Sequence, residues 1–138
     1  MNAKEAKLTA QKRAEQIKKE REERERQEAE AHAKEWRDKK ANWLKYEMEN
    51  FGHRIKEAVN KGQASTNIHI DTHEKEEWAE EKTFWKNFAY RAELKKVIAH
   101  YEGLGYSIVY KVKPYRNVDL SDLRDDWYTY QSILEISW

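Results

Sequence analysis

Every aromatic residue of this chain lies from Trp36 onward. That covers all six Trp, all eight Tyr and all three Phe. Residues 1–35 offer only Leu8 and Ile17 as large aliphatics. Removing apolar surface from water is the main drive to fold, so a core can form only in the later hundred residues or so. The chain therefore reads as a charged helical arm over 1–40 and a small α/β module over 41–138. The change near residues 36–40 is compositional. No Gly or Pro marks it, which leaves one helix free to run through it.

The arm is built almost wholly from strong helix formers. Glu precedes a cation by four residues at Glu15/Lys19, Glu20/Arg24, Glu22/Arg26, Glu30/Lys34 and Glu35/Lys39. That orientation contributes about 0.2–0.5 kcal/mol per pair. A coiled-coil seam fails, because only alanines supply apolar character between Ile17 and Trp36. The arm is thus a solvated helix or a tether that docks on a partner. A single rod over 3–61 would reach about 90 Å at about 1.5 Å per residue.

Composition narrows the function classes. The 138 residues carry 27 basic and 26 acidic groups, a net charge of +1. Near neutrality disfavours a strongly basic nucleic-acid binder. The absence of Cys excludes disulfides, thiolate catalysis and Cys-ligated zinc. No apolar run is long enough to span a membrane. Met1–Glu5 leads into charge rather than into the apolar core of a secretory leader.

In the module, Leu44, Met48, Phe51, Ile55 and Val59 recur at helical spacing, with Trp36 and Trp43 extending the stripe backward. Gly62 suits a left-handed stop. Ile68 and Ile70 alternate with polar neighbours as a short strand. Asp71 or Thr72 then caps a second helix over about 73–102, with Asp71-x-x-Glu74 as a capping box. Phe84, Phe88, Leu94, Val97, Ile98 and Tyr101 form its apolar side, with Trp78 and Trp85 nearby. Gly103 ends it, with Leu104 as the accompanying apolar contact. Residues 106–113 form a strand closed by Pro114. The last strand points Tyr128, Tyr130, Leu134, Ile136 and Trp138 one way, with Ile133 as the exception. The expected fold is α+β: a long charged helix, then two helices on one face of a three-stranded sheet, in the order helix-strand-helix-strand-strand. The last two strands pair antiparallel. The opposite face, with His69, Asp71, Ser107, Lys111, Lys113 and Glu135, is wet.

Chemistry-bearing patterns are sparse. His69-x-Asp71-x-His73 places three ligand types on one strand face, opposite Ile68 and Ile70. Same-face neighbours lie about 6.5–7 Å apart, however, which is awkward for one tetrahedral ion. No metal and no cofactor is therefore assigned, and His69, Asp71 and His73 stand only as weak metal candidates. His53 and His100 read as surface or boundary positions on helices. No Gly-rich phosphate loop, nucleophile elbow or catalytic set is present, so no enzyme activity is expected. The carboxylates at Glu74, Glu76, Glu77, Glu80 and Glu81 read as capping and solvation. Asp119, Asp122, Asp125 and Asp126 lack the Gly and terminal Glu of a calcium loop. Tyr106, Tyr110, Lys111, Lys113, Tyr115 and Arg116 interleave aromatics with cations. Residues 41–138, however, hold 14 basic and 16 acidic groups, no footprint for nucleic acid. Six Trp exceed what a small core buries, so Trp36, Trp43, Trp78 and Trp127 are candidate partner-binding residues.

Ile55-x-x-Ala58-x-x-x-Gly62, Asn67-Ile68-His69-Ile70, Leu104-Gly105-Tyr106-x-Ile108 and the closing Ile136-Ser137-Trp138 resemble small uncharacterised proteins of tailed bacteriophages. The similarity covers about residues 51–138. It implies a viral origin and a two-layer α/β module, and it supplies no catalytic residue. The expectation is a non-enzymatic protein acting through protein–protein contacts, as a virion structural or assembly component. The alternatives are a host-takeover inhibitor of a host enzyme and a weak nucleic-acid-binding module. Partners would be other phage proteins, a host protein or further copies of the chain, in the virion or the host cytoplasm, without a membrane.

Overall fold

The computed structural model describes residues 2–118 and 127–138. Along the chain come α1 (Ala3–Asn60), β1 (Ser65–His73), α2 (Glu76–Ala79), α3 (Glu81–Asn87), α4 (Arg91–Gly103), β2 (Ser107–Asn117) and β3 (Trp127–Ser137). The fold is α+β, with a long first helix followed by helices and a three-stranded antiparallel sheet. The chain divides into two compact units, Met1–Lys39 and Lys40–Trp138. Leu120, Ser121, Leu123 and the acids Asp119, Asp122, Asp125 and Asp126 lie outside the described residues.

In the first unit every described residue is solvent-exposed. Local interactions therefore carry its helicity. The Asn2 side chain accepts a bond from the Glu5 backbone N–H at 2.8 Å. Its amide also donates to the Glu5 carboxylate at 3.3 Å. The first bond satisfies one orphan backbone donor at the helix start, and the second holds the Asn2 side chain in place. Along the surface Lys39 meets Glu35 at 3.4 Å. Arg26 bonds Glu23 at 2.6 Å, one residue later than the Glu22 partner expected from spacing. Both contacts are exposed, so each adds only tenths of a kcal/mol.

In the second unit α1 buries Phe51, Ile55 and Ala58. Val59, expected on that stripe, is 51% exposed. At 100° per residue it sits about 80° from Phe51, whereas Ala58 sits about 20° away. Leu44, Met48 and Trp43 pack around this core. α1 ends with Gly62 at φ 73°. Gln63 N–H reaches the Ala58 carbonyl, and Gly62 N–H reaches that of Val59. This pair of bonds is the Schellman stop.

The sheet order is β1-β3-β2, all antiparallel, so the most apolar strand lies in the middle. Leu134 pairs with Ile68 on one side and Tyr110 on the other, and Ile136 with Thr66 and Ile108. Phe51, Ile55, Leu94, Val97 and Tyr101 of the helices close over this face. Each fully buried aliphatic or Phe side chain there is worth about 1.5–3 kcal/mol. On the other face Lys111 and Glu135 pair at 2.7 Å.

The second helical region differs from expectation. It is three helices, and the strand before it runs on through His73. Neither Asp71 nor Thr72 caps a helix: the N-cap of α2 is Lys75, with no side-chain bond. No Gly or Pro causes the breaks. Glu80 turns extended at ψ 138° and Phe88 at ψ 124°. The breaks let Ala79, Phe84 and Leu94 all reach the core, which one straight helix at this height over the sheet would not allow. α4 ends at Gly103 as expected, but its left-handed residue lies two positions on. Gly105 (φ 98°), rather than Gly103, takes the left-handed position. Tyr106 N–H bonds the Tyr101 carbonyl. The apolar contact is Tyr106 against Tyr101, rings 6.0 Å apart. Leu104 is 64% exposed and takes no part in it.

Gly52 sets how closely α1 approaches α4. The Tyr101 hydroxyl donates to the Met48 carbonyl at 2.6 Å. A Cβ at position 52 would lie 3.0 Å from that hydroxyl. Replacing helical Gly by Ala ordinarily gains about 1 kcal/mol. Gly52→Ala should gain that amount in a Tyr101→Phe background and clearly less, or lose stability, in the native chain. Urea unfolding of the four proteins in a double-mutant cycle measures the difference.

Candidate functional site

The polar centre of the second unit grows from one irregularity in β1. His69 pairs with Ile133 but Asp71 pairs with Ser132, so Ile70 is an extra residue against β3. Such a bulge shifts side-chain alternation by one position. Ser132, Leu134 and Ile136 share the helix-covered face of β3, and beyond the bulge Asp71 and His73 join it. His69 stays on the opposite face, where its Nε2 lies 2.7 Å from Thr72 Oγ1. The shared face that would have joined His69, Asp71 and His73 around a metal does not form. Among the described residues no group of three His, Asp or Glu side chains is placed to hold an ion.

Ser132 is fully buried. Its Oγ lies 2.8 Å from His73 Nε2 and 2.8 Å from the Tyr110 hydroxyl. Tyr110 also donates to the Ala79 carbonyl. Counting protons orients the chain of bonds. Tyr110 has one proton and gives it to Ala79, so its oxygen accepts from Ser132. Ser132 then has no further proton, so its oxygen accepts from His73 Nε2–H. The neutral imidazole therefore carries its proton on Nε2 and leaves Nδ1 as an acceptor.

That direction matters chemically. A serine nucleophile needs an imidazole that takes its proton. Here the serine proton points to tyrosine, the imidazole donates, and no solvent reaches the oxygen. The Ser–His pair is a structural bridge tying β1, β2 and β3 to the end of α2. Burial, together with the nearby carboxylates of Glu81 and Asp71, raises the Tyr110 pKa above its usual range, against a smaller lowering by the Ser132 bond. Burial similarly raises that of Tyr101, offset in part by the Gly52 backbone.

Over this bridge opens a cleft of about 280 Å³ lined by Asp71, His73, Trp78, Phe84, Asn87 and Phe88. Phe84 stacks on Phe88 at 4.8 Å and on Tyr110 at 5.1 Å. One Asp71 oxygen accepts the Thr72 N–H at 2.8 Å. Lys75 Nζ rests 5.1 Å from the Trp78 ring centre.

The four tryptophans singled out from sequence are scattered. Trp36 lies in the first unit and is 36% exposed. Trp43 is half-buried in the second, stacked on Tyr90 at 5.0 Å and edge-on to Phe88. Trp78 borders the cleft and Trp127 is half exposed on β3. His53 and His100 are exposed on helices. Sequence reasoning missed Ser132 and Tyr110 as a pair. The one available signal was a small polar residue, Ser132, between Tyr130 and the apolar Leu134 and Ile136 on the same face. Nothing local announced the bulge. No protein-family model, curated protein or solved structure matches the chain.

Ser132→Ala leaves the His73 donor and a Tyr110 lone pair unmatched and should cost about 1–3 kcal/mol in urea unfolding, whereas Thr72→Ala on the exposed side should cost little. The raised tyrosine pKa values also fix a pH dependence. Below about pH 10 folded and unfolded states both keep these protons. Above it the unfolded chain ionises first, so stability falls as pH rises towards the folded-state values. Thermal unfolding between pH 8 and about 11 should show this loss, and Tyr110→Phe should reduce its slope.

Proposed function

We propose that the protein is non-enzymatic and acts by protein–protein contact, as a bacteriophage structural or assembly component. The observation that carries the contact reading is the far end of the β2–β3 pair. β1 pairs with β3 only as far as Tyr130, while β2 continues to Asn117 opposite Trp127. Beyond β1 the sheet is therefore two-stranded among the described residues. Tyr115, Trp127 and Tyr128 on it are 53%, 51% and 52% exposed. Strand alternation sets Tyr115 and Trp127 on one face and Tyr128 on the other. Trp and Tyr are the side chains that most often carry interface energy, and a two-stranded ribbon gains little by displaying them to water. The exposed first unit supports the same reading, since it offers many charged groups and buries none. The phage setting rests on the sequence resemblance. No helix among the described residues is long and apolar enough to cross a membrane.

Affinity purification of the tagged chain from its native cells, beside a Tyr115→Ala/Trp127→Ala variant, tests the contact reading. At least one protein should be recovered in near-stoichiometric amount with the native chain and lost with the variant. Equal recovery from both would overturn the ribbon as the contact. Mass spectrometry of purified phage particles tests the setting, with the chain expected among their proteins.

A further inference from the structure

We propose that the cleft above the β1 bulge receives a guanidinium group, presented as an arginine side chain by the partner. This deepens the contact reading and rests on it, but it concerns a different surface from the ribbon.

Asp71 and His73 bring hydrogen-bond acceptors to the cleft, and Asp71 brings its negative charge. Asp71 brings a carboxylate, one oxygen of which takes only the adjoining Thr72 N–H. His73 has committed its Nε2 proton to Ser132, so its other ring nitrogen is a lone pair. The remaining walls are the aromatic rings of Trp78, Phe84 and Phe88 and the side-chain amide of Asn87, whose oxygen can accept a further N–H. A planar cation with several N–H donors is complementary to both features. It bonds the carboxylate in a fork and lays its face on the rings. Lys75 over Trp78 shows that this indole already serves as a platform for a cation.

Size and field agree with that ligand. A cleft of about 280 Å³ is below the range that encloses drug-sized molecules, and suits one side chain. Residues 74–81, which carry Trp78, hold five Glu and one Lys. Their potential draws cations towards the cleft and repels phosphates and carboxylates. A flat neutral ligand would use the rings but form no ion pair with Asp71.

The test is a titration of the ¹⁵N-labelled full chain with N-acetyl-arginine amide, followed at the Trp78 indole and Asn87 side-chain amide signals. Saturable shifts with a millimolar dissociation constant are expected. N-acetyl-citrulline amide, the neutral isostere, should bind at least about tenfold more weakly. Asp71→Asn, which keeps an oxygen for the Thr72 N–H, should abolish the preference for arginine, and Trp78→Ala should weaken binding of both. Methylguanidinium separates the sources: tighter binding of the amino-acid amide favours a partner's side chain, and tighter binding of the free ion transfers the site to a small cation and overturns the partner assignment. Equal affinity for arginine and citrulline amides, or no Asp71-dependent shift up to about 50 mM, overturns the proposal. Neither result alters recovery of the partner through Tyr115 and Trp127, so the two readings fail separately.

Discussion

Ser132 sits without solvent in the middle strand, and a buried hydroxyl has to be paired both as donor and as acceptor. Much of the second unit answers that demand. Tyr110, on the neighbouring strand, takes the serine proton and passes its own to Ala79. Ala79 can accept it because the helix stops at Glu80, which turns extended and leaves that carbonyl outside the helical ladder. His73 fills the remaining position, and it faces inward only because β1 carries one residue more than β3 at Ile70. Bulge, helix break and tautomer are thus parts of one hydrogen-bond account. Removing any of them leaves a polar atom buried without a partner.

The same account produces the cleft. With the bulge turning Asp71 and His73 towards the helices, and α2 held by its last carbonyl, the rings of Trp78, Phe84 and Phe88 stand over polar groups rather than over aliphatic side chains. A continuous helix from 73 to 102 on a regular strand would place Ile70 beside Ile68 and bury no such centre. The acceptor that His73 brings to the cleft follows from proton direction, because the single imidazole proton is spent inside.

Aromatic residues divide into two populations with different work. Phe51, Phe84 and Tyr101 are buried, and their contacts fasten α1, α3 and α4 to the sheet. Tyr115, Trp127 and Tyr128 lie past the end of β1, where no third strand or helix covers them among the described residues. The first unit has one aromatic residue, Trp36, and it is exposed. The unit is helical because Asn2 caps it and its side chains carry high helix propensity, forces that act within a few residues and need no core.

Those local forces explain what could be read directly from the residues. The polar arm, the apolar stripe through Phe51 and Ile55, the stop at Gly62, the strands around Ile68 and Ile108, and the antiparallel closing pair all follow from propensity and from periods of 3.6 and 2. The middle position of β3, the bulge at Ile70, the breaks at Glu80 and Phe88 and the left-handed turn at Gly105 do not. The bulge and the break at Glu80 depend on partners tens of residues away, Ser132 for His73 and Tyr110 for Ala79, while the left-handed Gly105 accompanies the Tyr101–Tyr106 contact five residues apart. Alone, the chain's order of residues settled which stretch could exclude water and which would stay wet, because that is a matter of composition along the sequence. Only the tertiary structure decided which polar groups were trapped with the core and how they paired, because a buried donor takes whichever acceptor the packing brings within 3 Å.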